Sequence, residues 1–262
     1  MTVTAEKTDT AVTIAVSSDN GKPGSLSSVT VALPCEDASA GTVAVLVHAD
    51  GTREVLRKSI TEEDMLTVSL PIDGSVTLEI VDNSKTFEDV SSDAWYGDAI
   101  DFASSRHLLN GTTETEFNPN GQMTRAMLAQ VLHNLENNPA HSLDSSFSDT
   151  TSSEWYSDAV SWAAESGYIT GYSDGSFGPN NVLTREQLTV MLWRYAGSPT
   201  ASAALDSFGD GSDVSDYAHG AMAWAVENGI LNGTGNNLLN PSGSATRAQT
   251  AVLLQRFLEL YL

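Results

Sequence analysis

From Phe87 onward the chain repeats itself, and this self-similarity limits what it can fold into more than any other feature. Phe87-Glu88-Asp89, Phe147-Ser148-Asp149 and Phe208-Gly209-Asp210 open successive units, 60 and then 61 residues apart. Trp95-Tyr96 matches Trp155-Tyr156, while the third unit keeps only Tyr217, shifted by one inserted residue. A short amphipathic run follows in each: AIDFASSRHLLNG, AVSWAAESGYITG and AMAWAVENGILNG, closed by Gly111, Gly171 and Gly233. Fourteen residues past each closing glycine stand Arg125, Arg185 and Arg247, preceded by turns that contain Pro119, Pro179 and Pro241. A second run with apolar residues at helical spacing comes next, such as Leu188, Met191, Leu192 and Tyr195. Each unit therefore reads as helix, loop, helix. One unit cannot bury its apolar stripes alone, whereas three can bury them against one another. Stacking in a line and closure about a pseudo-threefold axis both satisfy the spacing.

Up to about residue 84 the pattern is that of strands. AVTIAV (11–16), SVTVAL (28–33), TVAVLVH (42–48), REVLRKS (53–59), MLTVSL (65–70) and SVTLEIVD (75–82) are rich in β-branched residues, and several alternate with period two. Asp50-Gly51 and Asp73-Gly74 each join two such runs and predict hairpins, because a type I′ turn needs positive φ. Six short strands with tight turns predict a small β-sandwich. The expected fold class is thus α+β and multidomain. A β-domain over 1–84 precedes helix-loop-helix repeats over 87–141, 147–200 and 208–262.

Charge removes whole classes of partner. The formal net charge is −22, from 12 basic and 34 acidic residues among 262. Binding nucleic acid requires a basic surface to neutralise phosphates, and this chain lacks one. The same deficit argues against an anionic membrane surface, and no apolar run approaches the ~20 residues that span a bilayer. Cys35 is the single cysteine, which excludes an internal disulfide and a cysteine-rich zinc site. The polar opening MTVTAEKTDT is no signal peptide. Low cysteine, acidity and abundant Ser, Thr, Gly and Asn suit a bacterial exported protein, so a signal is expected upstream of this stretch.

The helix starts raise a sharper question. MTRAM (123–127), LTREQ (183–187) and ATRAQ (245–249) each put an arginine on the first residue of a helix. The positive end of the helix dipole lies there, which disfavours an exposed cation by roughly 0.3–1 kcal/mol. Thr184 with Gln187, and Thr246 with Gln249, predict capping boxes; Thr124 keeps half of one, with Met127 at the return position. Capping accounts for the threonines and glutamines and leaves the arginines unexplained. Past Lys85 the chain has only six basic residues, all arginine, against 21 acidic ones, and three of the six hold this position. Two roles fit a planar, permanently charged fork. Each arginine pairs with an acidic residue of a repeat, Asp89, Asp149 or Asp210, or each faces a groove and receives an anionic ligand beside the helix-start N–H groups.

Taken together, the F-x-D openings, the W-Y pairs, the N-G and T-G helix ends, GYSDGSFGP and the T-R-x-x segments resemble S-layer homology repeats, the cell-wall anchoring modules of bacterial surface proteins. The resemblance covers residues 87 to about 260. It implies a pseudo-trimer of repeats around a central helical bundle. It also implies grooves that bind secondary cell-wall polysaccharide, often through a sugar bearing a pyruvate ketal. Such a ketal carries a carboxylate. By resemblance, Arg125, Arg185 and Arg247 meet that anion, with Asp89, Asp149 and Asp210 in the same candidate site and Trp95 and Trp155 lining or shaping the grooves. The family pattern T-R-A-E is altered here, with Met127, Gln187 and Gln249 in place of glutamate and Glu186 added beside Arg185.

Other motifs carry less. GYSDG (171–175) matches the serine-hydrolase elbow formally, but Ser173 follows a helix rather than a strand. The five histidines, His48, His107, His133, His141 and His219, show no metal spacing and read as surface residues. Asp206, Asp210, Asp213 and Asp216 bunch together without the spacing or closing glutamate of a calcium loop. Trp162, Trp193 and Trp224 read as core. No nucleophile–base or paired-carboxylate constellation recurs, so no enzyme, cofactor or metal is expected. The expected function is a non-covalent anchor at the cell surface, binding wall polysaccharide and tethering a larger protein whose copies associate with one another. The alternative is an extracellular interaction module whose grooves are degenerate.

Overall fold

The structure is a computed structural model. It describes residues 2–8, 11–17, 24–91, 93–141 and 147–261; Met1 and Leu262, the ends of the first and last expected segments, lie outside the described residues. Among the described residues are six α-helices and two antiparallel sheets, a mixed α+β chain. They form two compact units, one up to Gly111 and the other Thr112–Tyr261.

The first unit holds eight strands: β1 (Thr2–Lys7), β2 (Ala11–Ser17), β3 (Ser25–Pro34), β4 (Thr42–Val47), β5 (Arg53–Val55), β6 (Ser59–Glu62), β7 (Met65–Asp73) and β8 (Ser75–Asp82). One sheet runs β1-β2-β8-β4-β5 and the other β3-β7-β6. Alternation does the sorting. Leu66, Val68, Leu70 and Ile72 of β7 all point to one face and are buried with Ile14, Val16, Ala44 and Leu78 of the other sheet.

Three expectations are corrected here. The polar Thr2–Lys7 run is a strand after all, paired antiparallel with β2. REVLRKS is two strands in different sheets, broken where Leu56 turns inward to the core. Asp50-Gly51 does close a hairpin between β4 and β5, but Asp73-Gly74 joins β7 to β8 in different sheets. Gly74 (φ 71°) makes a crossing there, its N–H donating to Gly24 O while its own carbonyl accepts from Val16 N–H.

The unit also contains α1 (Gly97–Ser105), the first helix of the first repeat. Arg106, just past its end, explains this membership. The side chain is fully buried; Nε donates to Ser59 O (2.8 Å), Nη1 to Ala40 O (2.8 Å) and Nη2 to Thr42 O (2.9 Å). Its guanidinium lies 3.9 Å from the centre of the Phe102 ring. A single cation thus satisfies three strand and loop carbonyls from a helix end. Stranding buried carbonyls costs about 1–3 kcal/mol each.

The second unit holds α2 (Arg125–Leu135), α3 (Ser157–Glu165), α4 (Arg185–Tyr195), α5 (His219–Glu227) and α6 (Arg247–Tyr261). Helix α2 packs on α3, and α4 on α5. A run of ring contacts, Trp162–Tyr168–Tyr195–Phe257–Trp224, threads the core. Ahead of the second helix of each repeat, three buried residues exchange backbone hydrogen bonds in a closed cycle. Met123 N–H donates to Ala245 O (2.9 Å), Ala245 N–H to Leu183 O (2.8 Å) and Leu183 N–H to Met123 O (2.9 Å). Two residues depart from expectation. His133 is buried rather than superficial, its Nε2 3.0 Å from Pro139 O and its ring tilted on Trp162. Trp193 is only half-buried, donating Nε1–H to Pro199 O at 2.8 Å.

Arg106→Ala should destabilise the chain by on the order of 3 kcal/mol, read by urea unfolding, and Arg106→Lys should recover only part, because the three N–H groups of an ammonium radiate from one nitrogen and cannot span carbonyls met by three separate nitrogens of the guanidinium. A change within 0.5 kcal/mol would show that water replaces the guanidinium.

Candidate functional site

The three helix-start arginines are buried, at 4%, 3% and 5% exposure for Arg125, Arg185 and Arg247. The Nε of each reaches a different repeat. Arg125 Nε donates to Phe177 O (2.7 Å), Arg185 Nε to Leu239 O (2.9 Å) and Arg247 Nε to Phe117 O (2.8 Å). The second helix of the first repeat therefore grips the second repeat, the second grips the third, and the third grips the first. The leading N–H groups of the same helices join in. Arg125 and Ala126 donate to Asn181 O and Pro179 O, Arg185 and Glu186 to Gly243 O and Pro241 O, and Arg247 and Ala248 to Gly121 O and Pro119 O. Helix-start donors that have no intrahelical partner are thus satisfied by the proline turn of another repeat. The carbonyl dipoles of that turn offset the penalty of placing a cation at the positive end of a helix.

Two aspartates of the F-x-D openings hold two of these turns. Asp149 accepts from Phe177 N–H and Gly178 N–H, both at 2.7 Å; Asp210 accepts from Leu239 N–H and Asn240 N–H, both at 2.7 Å. So Arg125 takes the carbonyl of Phe177 while Asp149 takes its amide, and Arg185 and Asp210 share Leu239 in the same way. Neither arginine forms a direct ion pair with a carboxylate among the described residues. Burial lowers the pKa of Arg125, opposed by Tyr172 and Asp149, and lowers that of Arg185, opposed by Asp210.

Beside Arg125 the surface opens into a cleft of about 260 Å³, lined also by Thr170, Tyr172, Gln187, Arg194 and Tyr217. Arg125 Nη2 donates to Thr170 O (2.7 Å), and its guanidinium lies 4.6 Å from the centre of the Tyr172 ring. Arg194 Nη1 approaches Thr170 Oγ1 at 3.3 Å, which sets a second guanidinium on the same wall. Arg185 is furnished differently: its Nη2 is buried with no hydrogen-bond partner among the described residues.

A capping box brings Gln187 to the cleft. Thr184 accepts from Gln187 N–H while Gln187 Oε1 accepts from Thr184 N–H, both at 3.2 Å, and Thr246 and Gln249 repeat this. With Oε1 committed, the Gln187 amide nitrogen remains as a donor at the cleft, where a glutamate would offer a second repelling oxygen. Thr124 accepts from Met127 N–H alone, half a box as read from sequence.

The aromatic positions are regular once helix starts are aligned. Trp95 and Trp155 are exposed at 69% and 61%, each edge-on to the following tyrosine. The residues capping α1, α3 and α5 are Tyr96, Tyr156 and Ala218. Tyr217 therefore occupies the place of the tryptophans, not of the tyrosines, and it too is exposed, at 55%. The inserted residue lies before it; the 62-residue interval from Trp162 to Trp224 carries that information in the sequence. Sequence reasoning does not reach Tyr172, Gln187 or Arg194 as cleft residues; the one signal is that Arg194 and Arg256 stand at equivalent places in the second helices of their repeats. Ser173 sits in a turn closed around Asp174 and Gly175, with neither strand nor helix adjoining it.

Comparison with known proteins agrees with this architecture. The S-layer homology domain model matches residues 86–127, 146–189 and 207–251, and the chain belongs to that family. It is 36% identical over 180 residues to an amylopullulanase of Thermoanaerobacterium thermosulfurigenes, covering 67% of this chain and 10% of that protein. It is 34% identical over 185 residues to exoglucanase XynX of Acetivibrio thermocellus, covering 69% of this chain and 17% of the other. With the surface-layer 125 kDa protein of Lysinibacillus sphaericus it shares 32% identity over 155 residues, 58% of this chain and 13% of that one. The matched stretch is thus a small fraction of each relative. Family membership implies a cell-wall anchoring module, and no helix among the described residues is long and apolar enough to cross a membrane.

Asp210→Ala should lower stability by about 1–2 kcal/mol in urea unfolding, because two amides lose a charged acceptor, and Asp210→Asn by about half as much. Equal stability in all three chains would mean that solvent caps the 239–240 turn equally well.

Proposed function

We propose that the chain anchors a surface protein to the cell wall by taking an acidic sugar of the secondary wall polysaccharide, such as one with a pyruvate ketal, in the cleft at Arg125. One observation carries the reading: two guanidiniums, Arg125 and Arg194, and two tyrosines, Tyr172 and Tyr217, share one open cleft in a chain of net charge −22. Cations are scarce here, so two on one wall mark a place built for a negative group. The planar fork of Arg194 suits a carboxylate, Gln187 adds a neutral donor, and the ring faces suit the apolar side of a pyranose.

The closed cycle of hydrogen bonds among Met123, Leu183 and Ala245 supports a pseudo-threefold arrangement of α2, α4 and α6. In this reading Arg185 and Arg247 occupy equivalent sites, and Asp149 and Asp210 shape the turns at two of them. Trp95 and Trp155 offer exposed faces for further sugar residues. The β-domain of residues 1–84 precedes the three repeats as a spacer, and the carrying protein is extracellular and meets its own copies at the wall.

Arg194→Gln should reduce pull-down on purified cell-wall sacculi about tenfold while leaving the urea midpoint unchanged, since Arg194 is only half-buried. Arg125→Ala should abolish pull-down and also destabilise. Raising the salt should weaken capture by the wild type more than by Arg194→Gln. Undiminished capture by Arg194→Gln at every salt concentration would remove the cleft from the mechanism and leave an interaction module.

A further inference from the structure

Glu186 is out of character for its position. Its counterparts in the other two repeats are Ala126 and Ala248, and it sets a carboxylate next to Gln187, which lines a cleft argued above to receive an anion. Charge alone would make it a liability there. The side chain is 6% exposed, and both of its oxygens are occupied. Oε2 accepts from Ser215 N–H (3.1 Å), and Oε1 accepts from the hydroxyls of Ser215 (2.8 Å) and Tyr217 (2.9 Å). All three donors belong to the segment that leads into α5 of the third repeat.

Tyr217 is thereby held at both ends, by its backbone and by its hydroxyl, while its ring stays exposed along the cleft. An exposed tyrosine without the second tether samples several χ1 rotamers, and binding on its face must first select one. Burial, followed by the hydrogen bond to Glu186, pushes the phenol pKa up to about 12, so the hydroxyl remains a donor at ordinary pH.

We infer that Glu186 is a positioning residue that locks Tyr217 as an aromatic platform for the sugar ring whose carboxylate faces Arg125 and Arg194. The inference rests on the cleft reading above. It makes the site a composite of all three repeats, with Arg125 from the first, Tyr172, Gln187 and Arg194 from the second, and Tyr217 from the third.

The sign of one substitution tests it. The whole chain is titrated calorimetrically with a methyl hexopyranoside carrying a 4,6-pyruvate ketal, and with the same glycoside lacking the ketal. Tyr217→Ala should weaken binding of the ketal about tenfold, and Glu186→Ala should weaken it comparably, although it removes a repelling charge. The double variant should be no weaker than Tyr217→Ala alone, because Glu186 acts through Tyr217. Glu186→Gln, which keeps an acceptor for the hydroxyl, should restore most of the affinity. Binding by Glu186→Ala that equals or exceeds the wild type, or losses that add in the double variant, would overturn the positioning role while the cleft stands. Full affinity in Arg194→Gln, or a wild type indifferent to the ketal, would instead overturn the acidic-sugar reading and this inference with it.

Discussion

Everything in the repeat unit depends on a guanidinium that donates to a carbonyl of a different repeat. Arg125, Arg185 and Arg247 are each nearly inaccessible, and each closes on a turn that its own repeat does not contain. A buried charge is costly unless its donors are met, and here a main-chain carbonyl meets each Nε, while Arg185 Nη2 lacks a partner among the described residues. The Asp149 and Asp210 carboxylates complete the arrangement by taking the amides of the same turns. Arg125 spends edge donors on this packing, Nε on Phe177 O and Nη2 on Thr170 O, and still lines the cleft.

That division of labour reconciles two roles that looked exclusive. An arginine committed to structure and an arginine offered to a ligand were alternatives when only the sequence was considered. In the fold, Arg125 serves the turn through Nε and Thr170 through Nη2 and still lines open space, while Arg194 adds a charge with fewer structural duties. The chain's overall negative charge is no obstacle at this range. Screening at physiological ionic strength has a length of ~8 Å, so a bound anion responds to the groups lining the cleft more than to distant carboxylates.

Local signals were legible and distant ones were not. The repeat period, the threonine caps and the strand alternation depend on residues within a few positions of one another, and they could be read directly. Leu56 broke a run that looked like one strand because its burial is decided by the opposite sheet. Arg106 carries no local signal of its role, since nothing nearby in sequence announces the carbonyls of Ala40, Thr42 and Ser59. Glu186 was visible as a charge beside Arg185, but its three donors lie about thirty residues downstream, so only the repulsion could be inferred. His133 was misplaced for the same reason: its burial is set by Trp162 of the next repeat.

The ring of contacts also dictates timing. Arg247 reaches back across 130 residues to Phe117, and Tyr217 completes a wall begun at Arg125. A chain emerging from its amino end carries the early parts of the module as an open arc whose turns lack their grips. Only when the final helix arrives does the arc shut, and long-range closure of this kind is intrinsically late. The cleft, walled by residues from Arg125 to Tyr217, is likewise complete only when all three repeats are present.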